Sequence, residues 1–271
     1  MLALIGASLK LRSSDAVEPA IREQIDLGVQ LALGDEAAAL DDSELEPLLM
    51  MADMAFAEGS ELLRSPGRPR GWQVENTQLL QAMGRASSTA FDRILVLSET
   101  RPSLRETLKG KFLDVGTGVG GIAIRAAETC PDLHVDGIDI WPPSLALAEQ
   151  NVAASPYASR IHLSNLDVTA LESEPHYTLV WLPTMFMARS IVESALDRIV
   201  AASRSGAWLV APLYTTPADP FLAVMSTLRT LRGGGEVTEP REIEDMLRLR
   251  GYIDIEVDVQ PLATFILGRR P

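Results

Sequence analysis

The sequence predicts an α/β fold: an all-helical N-terminal region followed by an open, mostly parallel sheet of seven strands. Three observations carry this expectation. From about residue 15 to residue 100 apolar side chains recur at helical intervals and little reads as strand. From residue 106 to 271, short apolar runs alternate with helical stretches, the pattern of strand-helix-strand units. A glycine-rich turn, "FLDVGTGVGG" at 112–121, joins the first of those runs to the helix behind it.

The elements follow in order. In "DAVEPAIREQIDLGVQLALG" Val17, Ile21, Ile25 and Val29 recur every four residues, with Asp15 as the expected cap and Gly34 as the stop. "DDSELEPLLMMADMAFAEGSELL" predicts a second amphipathic helix, in which Ser43 and Glu46 have capping-box spacing and Leu45, Leu48, Leu49, Ala52 and Phe56 trace an apolar face. "GWQVENTQLLQAMGRASSTAFDRILVLSE" predicts two shorter helices broken around Gly84, because glycine inside a helix costs about 1 kcal/mol relative to alanine. The expected strands are "KFLDVG", "HVDGIDI", "RIHLSN", "YTLVWL", "AWLVAPLY", "YIDIEVDV" and "ATFILGR", the last two joined by a short connection. The expected division is therefore a helical region, 1–105, and a sheet domain, 106–271.

Composition narrows the chemistry. With 46% hydrophobic and 23% charged residues in 271, the chain is an ordinary globular protein, and its apolar runs are too short to cross a bilayer. It reads as soluble and cytosolic, with no membrane partner. One cysteine, Cys130, excludes an internal disulfide, and His134, His162 and His176 form no short-spaced metal signature, so no metal is expected. A net charge of −13 opposes a nucleic-acid partner, since phosphates need a positive face. Arg64, Arg68 and Arg70, among Pro66, Gly67 and Pro69, read as a solvated basic loop.

The glycine turn poses the functional question. Gly116, Gly118 and Gly121 satisfy a dinucleotide fingerprint, whose backbone N–H groups and helix start receive a pyrophosphate. Asp114, two residues ahead of the glycines, would repel that ligand. A cationic nucleoside suits it: S-adenosylmethionine (SAM) carries an ammonium and a sulfonium and no phosphate. On these residues, 106–271 resemble a class I, Rossmann-like SAM-dependent methyltransferase of small-molecule type. The resemblance implies an enzyme with SAM as cofactor and S-adenosylhomocysteine (SAH) as product.

The resemblance also implies site residues. Asp114, Gly116, Thr117, Gly118 and Gly120 would meet the amino-acid end of the cofactor. Asp139 in "VDGIDIWPPS" ends the second strand about 20 residues beyond the turn, the spacing of a ribose-binding acid, with Ile140 and Trp141 near the adenine. Asp136 is a rival carboxylate within that strand. In "RIHLSNLDVTAL" Asp167 matches the adenine-binding position, flanked by Leu166 and Val168. "YTLVWLPTMFM" resembles the end of the fourth strand, where methyl group and acceptor meet. It carries Trp181, Leu182 and Pro183 in place of an Asn-Pro-Pro motif, which argues against amide and exocyclic-amine methylases. Leu182, Met185 and Phe186 form an apolar wall, and Gln78, Gln81 and Arg85 lie on a helical segment suited to closing over both ligands. The terminal pair of strands is similar to the antiparallel hairpin of this family.

The expected reaction is direct displacement of the sulfonium methyl by O, N or C of a small, largely apolar acceptor. Glu75, His176 and Tyr214 are the candidate bases. A homodimer built on the helical region is a further expectation. Two alternatives stay open: a cofactor-binding regulator or scaffold without catalysis, and an NAD-dependent oxidoreductase.

Overall fold

The computed structural model of the chain describes residues 2–12, 17–34 and 45–271. The expected caps Asp15 and Ser43 lie outside those residues, as do the side chains of Leu45, Glu46 and Leu48. The chain divides into two compact units, Met1–Gly67 and Arg68–Pro271.

The first unit holds α1 (Leu2–Arg12), α2 (Pro19–Leu33) and α3 (Leu45–Arg64). Pro19 opens α2 at a position where its missing N–H is no loss, and Gly34 closes it with φ 60°. Leu9, Val29 and Ala52 are buried, and Lys10 pairs with Asp53 at 2.8 Å. Helix α1 falls ahead of the helical stretch read from the sequence, because its apolar residues trace no single stripe.

The second unit begins with α4 (Thr77–Glu99) and α5 (Pro102–Thr107) and continues as a seven-stranded sheet. Its strands are β1 (Lys111–Val115), β2 (His134–Asp139), β3 (Ile161–Asn165), β4 (Tyr177–Trp181), β5 (Ser203–Tyr214), β6 (Ile253–Val259) and β7 (Ala263–Arg269). They lie in the order β3-β2-β1-β4-β5-β7-β6. Strands β1 to β5 are parallel, and β7 runs antiparallel between β5 and β6. All seven strands coincide with runs read from the sequence. Chain order reverses between β1 and β4, and that is where open sheets of this kind place a ligand, beyond the carboxyl ends of the strands.

Two cores flank the sheet. On one face Phe112, Leu179, Trp181, Trp208 and Leu267 pack under Phe91, Ile94 and Leu104 of α4 and α5 and Ile122 of α6 (Gly121–Thr129). On the other, Leu113, Val180, Leu209 and Ile266 pack against Leu196 of α8 (Arg189–Ala202) and Leu247 of α10 (Pro240–Leu249). Alternate residues of β1, β5 and β7 serve opposite cores, the period-two rule of a pleated strand. Helices α7 (Pro142–Ala154) and α9 (Pro220–Arg232) complete the unit.

Two expectations differ from the structure. Helix α4 runs unbroken through Gly84, so the two shorter helices expected there are one. Phe91 packs against Phe112 with ring centroids 5.5 Å apart and the planes tilted by 53°, and this burial holds α4 to the sheet. For the same reason the compact units part at Gly67 rather than at residue 105. Among the described residues no helix is long and apolar enough to cross a membrane.

Candidate active site

The loop after β1 is fixed by its own backbone and two carboxylates. Gly118 and Gly120 adopt φ 59° and 83°, left-handed conformations that favour glycine. The N–H of Thr117 donates to Ile138 O (3.0 Å) and that of Gly120 to Thr117 O (2.9 Å). The Gly118 N–H donates to Asp139 Oδ2 (2.8 Å), and the Trp141 N–H to Asp139 Oδ1 (2.7 Å). Asp139 thus ties the first and second strand ends together. Burial raises its pKa, and the hydrogen bonds from Trp141 and Gly118 work against that rise.

Asp114 is completely buried. Its Oδ2 accepts from Thr117 Oγ1 at 2.7 Å, whereas Oδ1 is buried without a hydrogen-bond partner. Desolvation pushes its carboxyl up to about 7. An orphaned carboxylate oxygen beside a glycine turn fits a positively charged ligand group, because a cation restores what burial removed.

The remaining cofactor candidates separate. Ile140 stands 66% exposed beside the loop, and the Trp141 indole donates to Val74 O at 2.7 Å. Asp167 Oδ1 accepts from the N–H and hydroxyl of Thr169, both at 2.8 Å, and so caps a short 3-10 turn. Leu166, half-buried, reaches back through its N–H to Asp139 O (3.2 Å). Val168 and Leu182 belong to the second core, and Leu182 exposes no surface. Asp136, the rival acid, is taken up by Lys111 (2.7 Å) and the Tyr177 hydroxyl (2.9 Å).

At the carboxyl ends of β4 and β5 aromatic side chains cluster. Phe186 meets Trp72 edge-on at 5.3 Å and Tyr214 edge-on at 5.8 Å, and the Arg229 guanidinium covers Tyr214 at 5.5 Å. Met185 is buried beneath, and a Cβ on Gly235 would lie 2.0 Å from Met185 O, so the turn after α9 tolerates only glycine there. Residues 68–76 strap across this side. Arg68 donates to Arg232 O (3.1 Å) and Arg70 to Gly235 O (2.8 Å), so these two arginines are bound into the fold rather than solvated as expected. Trp72 and Gly235 escaped the sequence reading because their partners lie far along the chain.

Of the candidate bases, Tyr214 belongs to the aromatic cluster and Glu75 is exposed on the strap beside Val74. His176 is displaced by geometry. It immediately precedes β4, donates its N–H to Ala202 O and stacks on Tyr177. The amino end of a five-residue strand lies about 16 Å from the end where the loop sits, so His176 cannot reach an acceptor there. A cavity of about 480 Å³ lined by Lys111, His134, Asp136 and His162 shares that far end. Gln78 and Arg85 are exposed on α4, while the Gln81 amide turns to Asn151 of α7 instead of to an acceptor.

Residues 112–206 match the family model described as "Methyltransferase domain". Over 73 residues the chain is 37% identical to a tRNA1(Val) (adenine(37)-N6)-methyltransferase of Yersinia pestis, covering 26% of this chain and 29% of that protein. The match thus spans less than a third of the length of the curated relatives. Among solved structures, the S-adenosylmethionine-dependent methyltransferase SibL in its apo form superposes with TM-score 0.67 at 17% identity, covering 100% of this chain and 96% of that one. Human N-acetylserotonin methyltransferase in complex with SAM gives TM-score 0.59 at 16% identity, over 99% and 93% of the two chains. With the strand order β3-β2-β1-β4-β5-β7-β6 and the glycine turn after β1, the chain has the Rossmann-like fold of these structures, and its residues 112–206 are similar to a methyltransferase domain.

Proposed function

We propose that the protein is a SAM-dependent methyltransferase acting on O, N or C of a small, largely apolar molecule. The observation that carries the reading is Asp114, a fully buried carboxylate in the glycine loop with one oxygen lacking a partner. SAM, when bound, supplies an activated methyl group. The chain supplies the rest. Asp114 and the backbone of Gly116 to Gly120 hold the cationic amino-acid end. Asp139 accepts from ribose hydroxyls through lone pairs beyond those given to Gly118 and Trp141. Asp167 offers its second oxygen to the adenine amine, with Ile140 and Trp141 on the adenine faces. Trp72, Phe186 and Tyr214 orient an aromatic or aliphatic acceptor and exclude water, and Tyr214 or Glu75 takes its proton where one must leave.

N-acetylserotonin, named for one structural neighbour, is a small molecule of this kind. The match to a tRNA adenine methyltransferase favours a second reading, an RNA acceptor. The net charge of −13 and the Trp-Leu-Pro sequence at the fourth strand end oppose it. Calorimetric titration with SAH and NAD, followed by a methyl-release assay against metabolites and tRNA, tests the proposal. SAH binding with turnover of an apolar metabolite, lost in Phe186→Asp while SAH still binds, is expected. Binding of NAD but not SAH, turnover of tRNA alone, or SAH binding without any turnover would each replace it.

A further inference from the structure

Resting on the reading that the glycine loop holds SAM, we propose that Gln81 and Asn151 are positioning residues for that loop, acting from behind it as a reciprocal amide pair. Asn151 Nδ2 donates to Val119 O at 2.9 Å and to Gln81 Oε1 at 3.1 Å, and Gln81 Nε2 donates back to Asn151 Oδ1 at 3.1 Å. Val119 sits between Gly118 and Gly120, both at positive φ, where the backbone has the most freedom to change conformation. Its carbonyl shares a peptide plane with the Gly120 N–H, so a fixed carbonyl also fixes that N–H on Thr117 O.

The other anchors of the loop, Ile138 O and Asp139, hold its first half. Asn151 is the side chain that holds its second half. Gln81 gives Asn151 a single amide orientation, because only one leaves a donor on Val119 O and a donor-acceptor match with Gln81. Helix α4 also leans on the same stretch at Gly84: a Cβ there would lie 2.0 Å from Val119 Cγ2, and one on Gly121 would lie 2.2 Å from Gly84 O. The helix before the sheet therefore backs the cofactor loop, and Gln81 is its polar contact.

The test is calorimetric titration of the full chain with SAH, beside thermal unfolding and steady-state kinetics. Asn151→Leu and Gln81→Leu are each expected to raise the SAH Kd about tenfold, the effect of losing one or two buried hydrogen bonds. The KM for SAM should rise with them and the acceptor KM stay unchanged. Asn151→Asp, which keeps the size but loses both donors, should do the same and serves if the leucine variant does not fold. The exchanged pair, Gln81→Asn with Asn151→Gln, preserves the combined length and should restore most of the affinity. Variants that melt earlier yet bind SAH as the wild type does would reduce the pair to a structural contact and overturn the inference, leaving the cofactor reading intact. A wild-type chain that binds no SAH would remove that reading, and the inference with it.

Discussion

Burial pushes the Asp114 carboxyl up to about 7 against the Thr117 hydrogen bond, and the nearby Asp139 charge adds to the rise. The folded chain therefore keeps a proton that the unfolded chain releases near 3.8. By linkage the ligand-free protein loses stability as pH climbs from about 4 to about 7, the opposite of a salt-bridged acid. Comparing unfolding temperatures at pH 5 and pH 8 checks this, and Asp114→Asn should flatten the difference. A cationic ligand selects the ionised form, so SAM affinity should rise with pH to about 7 and then level off, a dependence that calorimetry should find missing in Asp114→Asn. Asp139→Ala should weaken SAH binding by about 1 to 3 kcal/mol, because ribose hydroxyls and the Gly118 N–H lose an acceptor together. Wild-type affinity in that variant would remove Asp139 from the ribose site. The positions of Asp114, Asp139 and Asp167 at the carboxyl ends of β1, β2 and β3 were legible in the sequence, since each belongs to or closely follows a recognisable strand. The position of His176 at the amino end of β4 was not legible, because residue type alone does not reveal which end of a strand a side chain occupies. Leu182 directly follows β4 and Val168 opens a 3-10 turn, and no periodicity at either position marks the side that joins the core.

Helix α4 shows propensity and packing in opposition. Glycine at position 84 weakens the helix by about 1 kcal/mol, which predicted a break. The structure keeps the helix whole because Gly84 is where α4 touches Val119 and Gly121. Gly84→Ala should therefore destabilise the protein and impair SAH binding despite better helix propensity. Since the atom in the way is Val119 Cγ2, the double variant Gly84→Ala/Val119→Ala should recover much of both, measured by thermal melts and titration. A stabilised single variant with unchanged binding would contradict the contact. β1, β4, β5 and β7 were legible because buried strands read as continuous apolar runs, and β6 because its apolar and acidic residues alternate. The strap at 68–76 was not, for its register is set by carbonyls at Arg232 and Gly235, more than 160 residues away. No local pattern encodes such a pairing.

Every contact described for the glycine loop lies within residues 68–271, which form one compact unit. Removing residues 1–67 should accordingly leave a folded protein with near-wild-type SAH affinity, checked by circular dichroism and calorimetry. Loss of cooperative melting in that fragment would show that the sheet unit depends on its helical neighbour. Whether the helical residues also pair two copies is read from the same fragment by sedimentation. At this scale the sequence conveyed the class of fold and the position of the hairpin, whereas the boundary at Gly67 depended on aromatic packing between α4 and β1. The place of β7 has a consequence for how the molecule is made. β5 is buried from Ala207 through Leu213 and is flanked on one side by β7 alone, which is separated from it in sequence by two helices and β6. Until β7 inserts, β5 presents a long apolar edge able to pair with the same edge of another chain. Refolding from denaturant should therefore lose yield to aggregation as protein concentration rises, and a peptide spanning 263–269 added in excess should compete for that edge.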